Sequence, residues 1–218
     1  MAKIKRTDVL MQFFSPETSR VYRLFKTSGW PALEIAGIRM HLVQGTDPEK
    51  STADMVGMLG QAKGTVLDCC AGLGYTAIAL AGKSSVTGVV TFEVDENVVE
   101  IARGNPQSAE LFSNKKIKLI EGDVFSGMGS FPENFFDAIL HDPPSIKIAG
   151  ELYSRKFYGE LFRVLKPGCK LFHYTGQPGS KAGIDIARGA MRRLSDAGFV
   201  NAKRTEKING IIAFKPRE

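Results

Sequence analysis

Residues 66–80 read VLDCCAGLGYTAIAL. A hydrophobic run delivers the carboxylate of Asp68 into a loop whose Gly72 and Gly74 lack side chains, so the backbone can bend sharply and approach a ligand closely. VVTFEVDENVVEIAR ends a second apolar run at Glu93, about twenty residues beyond the glycines, where nucleotide-binding sheets place an acid for ribose hydroxyls. KIKLIEGDVF brings Asp123 to the end of a third run, able to accept from an amino group. FDAILHDPPS ends a fourth at Asp142-Pro143-Pro144-Ser145. There a carboxylate and a proline-stiffened carbonyl can bind the hydrogens of a weakly nucleophilic amine and orient its lone pair. Asp68, Glu93 and Asp123 describe a pocket for an adenosine-like ligand, and the missing Walker lysine argues against ATP. Each feature also has a plain structural explanation: a glycine-rich turn, a polar loop residue at Asp123, a helix cap at Asp95, a rigid strand stop at Asp-Pro-Pro.

These residues need a scaffold that gathers strand ends. Hydrophobic periodicity predicts strands at 65–69, 87–93, 116–120, 136–141 and 170–174, and helices at 75–82, 96–103, 154–165 and 183–197. Strands alternating with helices indicate an α/β, doubly wound, mostly parallel sheet covered on both faces, with ligands at the carboxyl ends of its strands. FVNAKRTEKINGIIAFKP holds two strand-like runs around Asn209-Gly210 and predicts a terminal antiparallel hairpin. Residues 1–45 form an N-terminal extension, with a short helix opening at SPETSR and a small hairpin around Ala36-Gly37. Thr46 or Asp47 then caps a helix with Pro48 at its first position, running to about Gly60, and residues 46–218 form the main domain.

The chain has 218 residues, 43% of them hydrophobic, enough for one sizeable core. No apolar stretch is long enough to span a bilayer, and the N-terminal residues lack a signal peptide's features, so a cytoplasmic location without membrane association is the expectation. Cys69, Cys70 and Cys169 offer no metal-ligand spacing and no disulfide framework. The formal charge of +6 is compatible with a polyanionic partner without establishing one, and most basic residues read as solvated surface. Basic clusters occur at Lys3/Lys5/Arg6, Arg20/Arg23/Lys26, Lys115/Lys116/Lys118, Arg188/Arg192/Arg193 and Lys203/Arg204/Lys207. His141 and His173 read as packed imidazoles or a proton relay, His41 as surface, and the adjacent cysteines as small apolar packing.

Asp68 to Gly74, Glu93 and Asp123 resemble the cofactor motifs of class I S-adenosylmethionine-dependent methyltransferases, and the resemblance covers roughly residues 46–215. It implies a Rossmann-like, seven-stranded sheet with the C-terminal antiparallel hairpin. It also implies S-adenosyl-L-methionine as cofactor, with the Cys70-Ala71-Gly72-Leu73-Gly74 backbone beside the methionine moiety and Asp68 near its amino end. Tyr75 and Thr76 follow in the same motif; Glu93 would hold the ribose, Asp123 the adenine amino group, and Val94 and Val124 would line the ring. DCCAGLG departs from the family by Cys70 in place of the first glycine, and resembles the D-x-F-A-G-x-G variant of amino-methylating members.

Asp142-Pro143-Pro144-Ser145 is similar to the D/N-P-P-Y/F/W motif of enzymes that methylate planar exocyclic or amide nitrogens, which implies these four as catalytic residues. Ser145 replaces the aromatic ring on which a flipped base stacks, and Tyr153, Phe157, Tyr158 or Tyr174 are the rings that could substitute. The resemblance thus implies methylation of an amino group on a nucleic-acid base, RNA before DNA, with a small-molecule or protein acceptor as the alternative. Residues 150–172 look like the matching stretch of spermidine synthases, which implies aminopropyl transfer as a rival. The whole chain also resembles a group of predicted methyltransferases of unassigned substrate, and a non-catalytic RNA-binding module is the contrasting class.

Overall fold

The computed structural model describes residues 8–176, 181–205 and 208–217. The described residues open with β1 (Val9–Ser15), β2 (Arg20–Phe25), β3 (Ala32–Ile35) and β4 (Ile38–Arg39), hydrogen-bonded in that order as an antiparallel sheet. The short helix expected at SPETSR is absent. Those residues form the β1–β2 turn, where the Ser15 hydroxyl donates to Glu17 and accepts from the Thr18 N–H, and Ser19 takes a φ of 54°. Period-2 patterning decides the flanks: Met11 and Phe13 pack on the core while Leu10 and Phe14 stay exposed. The predicted turn at Ala36-Gly37 joins β3 to β4, with the positive φ values, 48° and 79°, that a two-residue hairpin turn needs.

Helix α1 (Pro48–Met58) follows, its first turn capped by Asp47, whose carboxylate accepts from the Lys50 N–H. The order then runs β5 (Gly64–Asp68), α2 (Tyr75–Ala81), β6 (Val86–Glu93), α3 (Glu96–Gly104), α4 (Ala109–Ser113), β7 (Ile117–Glu121) and α5 (Val124–Gly127). It closes with β8 (Phe136–His141), α6 (Arg155–Val164), β9 (Leu165–Tyr174), α7 (Lys181–Asp196), β10 (Val200–Thr205) and β11 (Gly210–Phe214). The short helices α4 and α5 escape prediction because so few residues carry no readable periodicity. Strand β9 begins at Leu165 rather than 170, taking in Pro167 and Gly168 where its register against β8 shifts.

The main sheet has seven strands in the order β10-β11-β9-β8-β5-β6-β7, parallel from β9 to β7, with the antiparallel hairpin β10–β11 on its edge. Thr205 pairs with Gly210, so the hairpin's turn precedes Gly210 instead of centring on Asn209-Gly210; residues 206–207 lie outside the described set. Gly210 is needed inside the strand because a Cβ there would collide with the Phe172 ring.

Alternate residues of the central strands feed two cores. Val66, Val89, Leu140 and Phe172 face one, with α1, α2 and α3; Leu67, Val90, Ile139 and Leu171 face the other, with α6 and α7. The N-terminal sheet contributes Tyr22, Leu24 and Leu33 to the first core. Two hydrogen bonds fasten it across the strand ends: Tyr22 Oη donates to Asp95 at 2.7 Å, and Tyr75 Oη to the Pro31 carbonyl at 2.9 Å. Among the described residues, no helix is long and apolar enough to cross a membrane.

Candidate active site

Two cavities, of about 410 and 300 Å³, lie at the carboxyl ends of the parallel strands beneath the N-terminal sheet. The first is walled by Cys70, Ala71, Gly72, Tyr75 and Thr76 from the loop after β5, and by Glu93, Val94 and Asp95 after β6. The second is walled by Ser145, Tyr153 and Tyr174. Asp142, Pro143 and Pro144 belong to both, so the Asp-Pro-Pro corner stands where they meet.

The glycine loop is held open by backbone and carboxylate together. The Ala71 N–H donates to the Phe92 carbonyl at 2.7 Å, and Gly72 and Gly74 have φ of 53° and 79°, in the left-handed region that favours glycine. At Gly74 a Cβ would also approach the Leu111 side chain to 2.7 Å. Glu93 bridges the turn, one carboxylate oxygen accepting from the Gly72 N–H at 2.9 Å and the other from the Asp95 N–H at 3.0 Å. Burial raises the Glu93 pKa, and Asp95 adds to that, while the two backbone N–H groups oppose it. Val94 lies 71% exposed on the cavity rim, as an apolar surface for a flat ring would.

Two expected cofactor carboxylates are otherwise engaged. Asp68 is fully buried and absent from the cavity wall; its oxygens accept from the hydroxyls of Thr76 at 3.1 Å and Thr91 at 2.9 Å. Burial pushes its pKa up to about 7, so it braces the loop from behind. Asp123 caps α5, accepting from the N–H groups of Phe125 and Ser126 and from the Ser126 hydroxyl, and neither it nor the buried Val124 lines the cavity. Leu73 is likewise buried in the core and absent from the cavity wall.

Asp142 differs from all of these. It is half-buried, and among the described residues it accepts no hydrogen bond and has no cation beside it; burial pushes its pKa up to about 7. The Pro144 carbonyl accepts from Tyr153 Oη at 3.1 Å, which stiffens the corner. Ser145 is exposed at the mouth of the second cavity. Of the rings that might replace an aromatic there, Phe157 and Tyr158 are core residues, whereas Tyr153 and Tyr174 line the cavity.

His41, expected at the surface, lines both cavities; its Nδ1 accepts from the Leu33 N–H at 3.2 Å, and its ring packs on Tyr75 with centroids 5.5 Å apart. Burial pushes its pKa down to about 4, so the imidazole is neutral. His141 and His173 are fully buried and stacked at 4.4 Å; His141 Nε2 bonds the Leu152 carbonyl, and His173 bonds Tyr158 and the His141 carbonyl. Neither reaches a cavity, which supports packing over proton relay. Cys69 is buried and Cys70 half-buried at the wall, and burial raises both thiols, so neither is a ready thiolate.

Several basic side chains are occupied internally. Lys116 donates to the Ala81 and Lys83 carbonyls, Arg193 to the Tyr153 carbonyl, and Arg23 pairs with Glu34 at 2.9 Å. The clusters at Lys3/Lys5/Arg6 and Lys207 lie outside the described residues.

Comparison with known proteins agrees with this arrangement. Residues 66–168 match the family model described as a methyltransferase domain. An uncharacterized protein of Methanocaldococcus jannaschii is 47% identical over 190 residues, 86% of this chain and 65% of that protein. A release factor glutamine methyltransferase of Rhodopirellula baltica is 27% identical over 150 residues, 67% of this chain and 46% of that protein. The chain therefore spans less than two thirds of the length of these curated relatives. Among solved structures, a spermidine synthase in complex with the transition state analogue AdoDATO superposes with a TM-score of 0.78 at 21% identity, covering 99% of this chain and 76% of that one. Residues 66–168 thus resemble a methyltransferase domain, and the fold is Rossmann-like. The last superposition extends over the N-terminal sheet as well, so that sheet belongs to the shared fold.

Proposed function

We propose that the chain is an S-adenosyl-L-methionine-dependent methyltransferase that acts on an amino or amide nitrogen. One observation carries the reading: the Asp142-Pro143-Pro144 corner forms the common wall between a glycine-loop cleft that contains Glu93 and a second cavity. The cleft fits the cofactor's chemistry. Bare backbone at Gly72 admits a close approach, since nothing lies within 4 Å of where its Cβ would be, and the rim offers an apolar side chain beside a carboxylate. Gly72, Glu93 and Val94 would hold the nucleoside, and the Cys70–Gly74 backbone with Tyr75 and Thr76 the amino-acid tail. When bound, the cofactor supplies an electrophilic methyl on a sulfonium.

The chain's own residues supply placement. Asp142 accepts an N–H of the acceptor, and the Pro144 carbonyl stands fixed by Tyr153. As the S–CH3 bond breaks and the N–CH3 bond forms, the positive charge passes to the acceptor nitrogen and leaves with the proton that Asp142 accepts, so positioning matters more than a strong base. A nucleobase acceptor would stack on Tyr174 or the edge of Tyr153, the rings that line the cavity in place of one at Ser145.

A second reading, aminopropyl transfer from the decarboxylated relative of the same cofactor, is favoured by the likeness to spermidine synthases over nearly the whole chain. The second cavity suits a diamine poorly. Among the described residues its one carboxylate is Asp142, and Arg39 shares the wall, whereas a diamine brings two ammonium charges. Incubating the protein with methyl-labelled S-adenosylmethionine, and separately with aminopropyl-labelled decarboxylated cofactor, against RNA, DNA, protein extract and 1,4-diaminobutane separates the readings. Label entering RNA, DNA or protein from the methyl donor alone is expected; label entering the diamine from the aminopropyl donor alone would establish the second.

A further inference from the structure

We infer that acceptor recognition is shared with the N-terminal segment: His41 and Thr52 form the hydrogen-bonding half of the acceptor site that faces Asp142. This rests on the methyltransferase reading above. Both residues line both cavities, as Asp142 does, yet they come from elements outside the glycine loop and the Asp-Pro-Pro corner. His41 follows β4, and Thr52 is on α1.

The protonation of His41 is set by geometry. Its Nδ1 accepts from the Leu33 N–H, so the ring proton of the neutral imidazole resides on Nε2. That Nε2 has no partner within the described residues and is not sealed in the interior. Thr52 is 3% exposed, and among the described residues its hydroxyl likewise makes no hydrogen bond and is not sealed off. Buried polar groups in folded proteins are ordinarily satisfied. Here a donor, a hydroxyl and a carboxylate acceptor without partners among the described residues stand on the wall common to both cavities, beside Ile38, Met40, Met55, Pro143, Pro144 and Ile148. A few uncommitted polar groups on the wall of one cavity, among apolar side chains, is the pattern of a ligand site.

The set has a definite selectivity. Asp142 accepts an N–H, His41 Nε2 donates, and Thr52 can do either, so the complementary acceptor bears its amino group on a carbon that also carries a hydrogen-bond acceptor, a carbonyl oxygen or ring nitrogen. An alkylammonium has no acceptor for His41 and leaves that donor unpaired in the complex.

The test uses the full chain saturated with S-adenosylhomocysteine, with benzamide and benzylamine as probes, followed by saturation-transfer NMR and calorimetry. Benzamide is expected to bind at least about 5-fold more tightly than benzylamine. The variants His41→Phe and Thr52→Val, with melting temperature as a folding check, are expected to weaken benzamide by about 5–10-fold and leave S-adenosylhomocysteine affinity within about 2-fold. His41→Gln, which keeps a side-chain N–H donor, should recover part of the loss. Equal or tighter binding of benzylamine, no benzamide binding to the loaded protein, or variants that weaken the nucleoside instead of benzamide would each overturn the inference. Failure of S-adenosylhomocysteine itself to bind would instead overturn the methyltransferase reading and this inference with it.

Discussion

The nucleoside side of the cleft and the acceptor side treat their polar groups in opposite ways. On the nucleoside side, Glu93 ties Gly72 to Asp95, and behind the loop Asp68 is braced by two threonines. On the acceptor side Asp142, His41 Nε2 and the Thr52 hydroxyl bond nothing within the described residues. The first arrangement fixes a backbone shape before any ligand arrives, and a carboxylate with more than one lone pair per oxygen can still accept a hydroxyl. The second withholds its hydrogen bonds, so a ligand that supplies them gains their full worth. Preorganised binding and uncommitted recognition are thus separated within one cleft.

The sharpest way to break this contrast is to remove its uncommitted carboxylate. Asp142→Ala should reduce methyl transfer by roughly 10²–10⁴-fold while cofactor affinity, read by calorimetry, stays within a few-fold. Parallel loss of both would place Asp142 in the preorganised half. Stability offers a second test. Burial raises the folded-state pKa of Asp142 to about 7, above the roughly 3.9 of an unfolded aspartate, so the folded protein holds this proton more tightly. Its contribution to stability is therefore fully present below about pH 4 and is lost as pH rises through about 7. Asp142→Asn should then raise unfolding free energy by the order of 1 kcal/mol near pH 8, discounted for partial exposure, with the gain vanishing towards pH 4. Denaturant titrations at the two pH values check it; a gain of equal size at both would remove the ionisation argument. The smallest effect concerns the sheet that roofs the cleft. Tyr22→Phe removes the bond to Asp95 and should cost about 0.5–1.5 kcal/mol, seen as faster hydrogen exchange in β2.

Much of the fold is legible because its signals are local. The strands β5, β6 and β8 are short apolar runs buried on both faces, and Asp47, Asp95 and Ser154 each stand at the helix start they cap. The Asp-Pro-Pro corner and the Gly72–Glu93 pairing lie where strand ends bring them. Non-local commitments are not legible. Nothing near Asp68 reveals that Thr91, on the neighbouring strand, will take its charge. Asp123 reads as free because α5 is too short to announce the helix it caps. His41 reads as surface since its hairpin shows no sign of folding over the cleft; only the packing of Tyr22, Leu24 and Leu33 into the first core places it there.

Calorimetric titration of S-adenosylmethionine into the wild-type chain and the Glu93→Ala variant tests the central claim most directly. Saturable binding to the wild type, weakened about 10–100-fold by the substitution, is the predicted result. No saturable heat at about millimolar cofactor, or equal affinity in the two proteins, would contradict it.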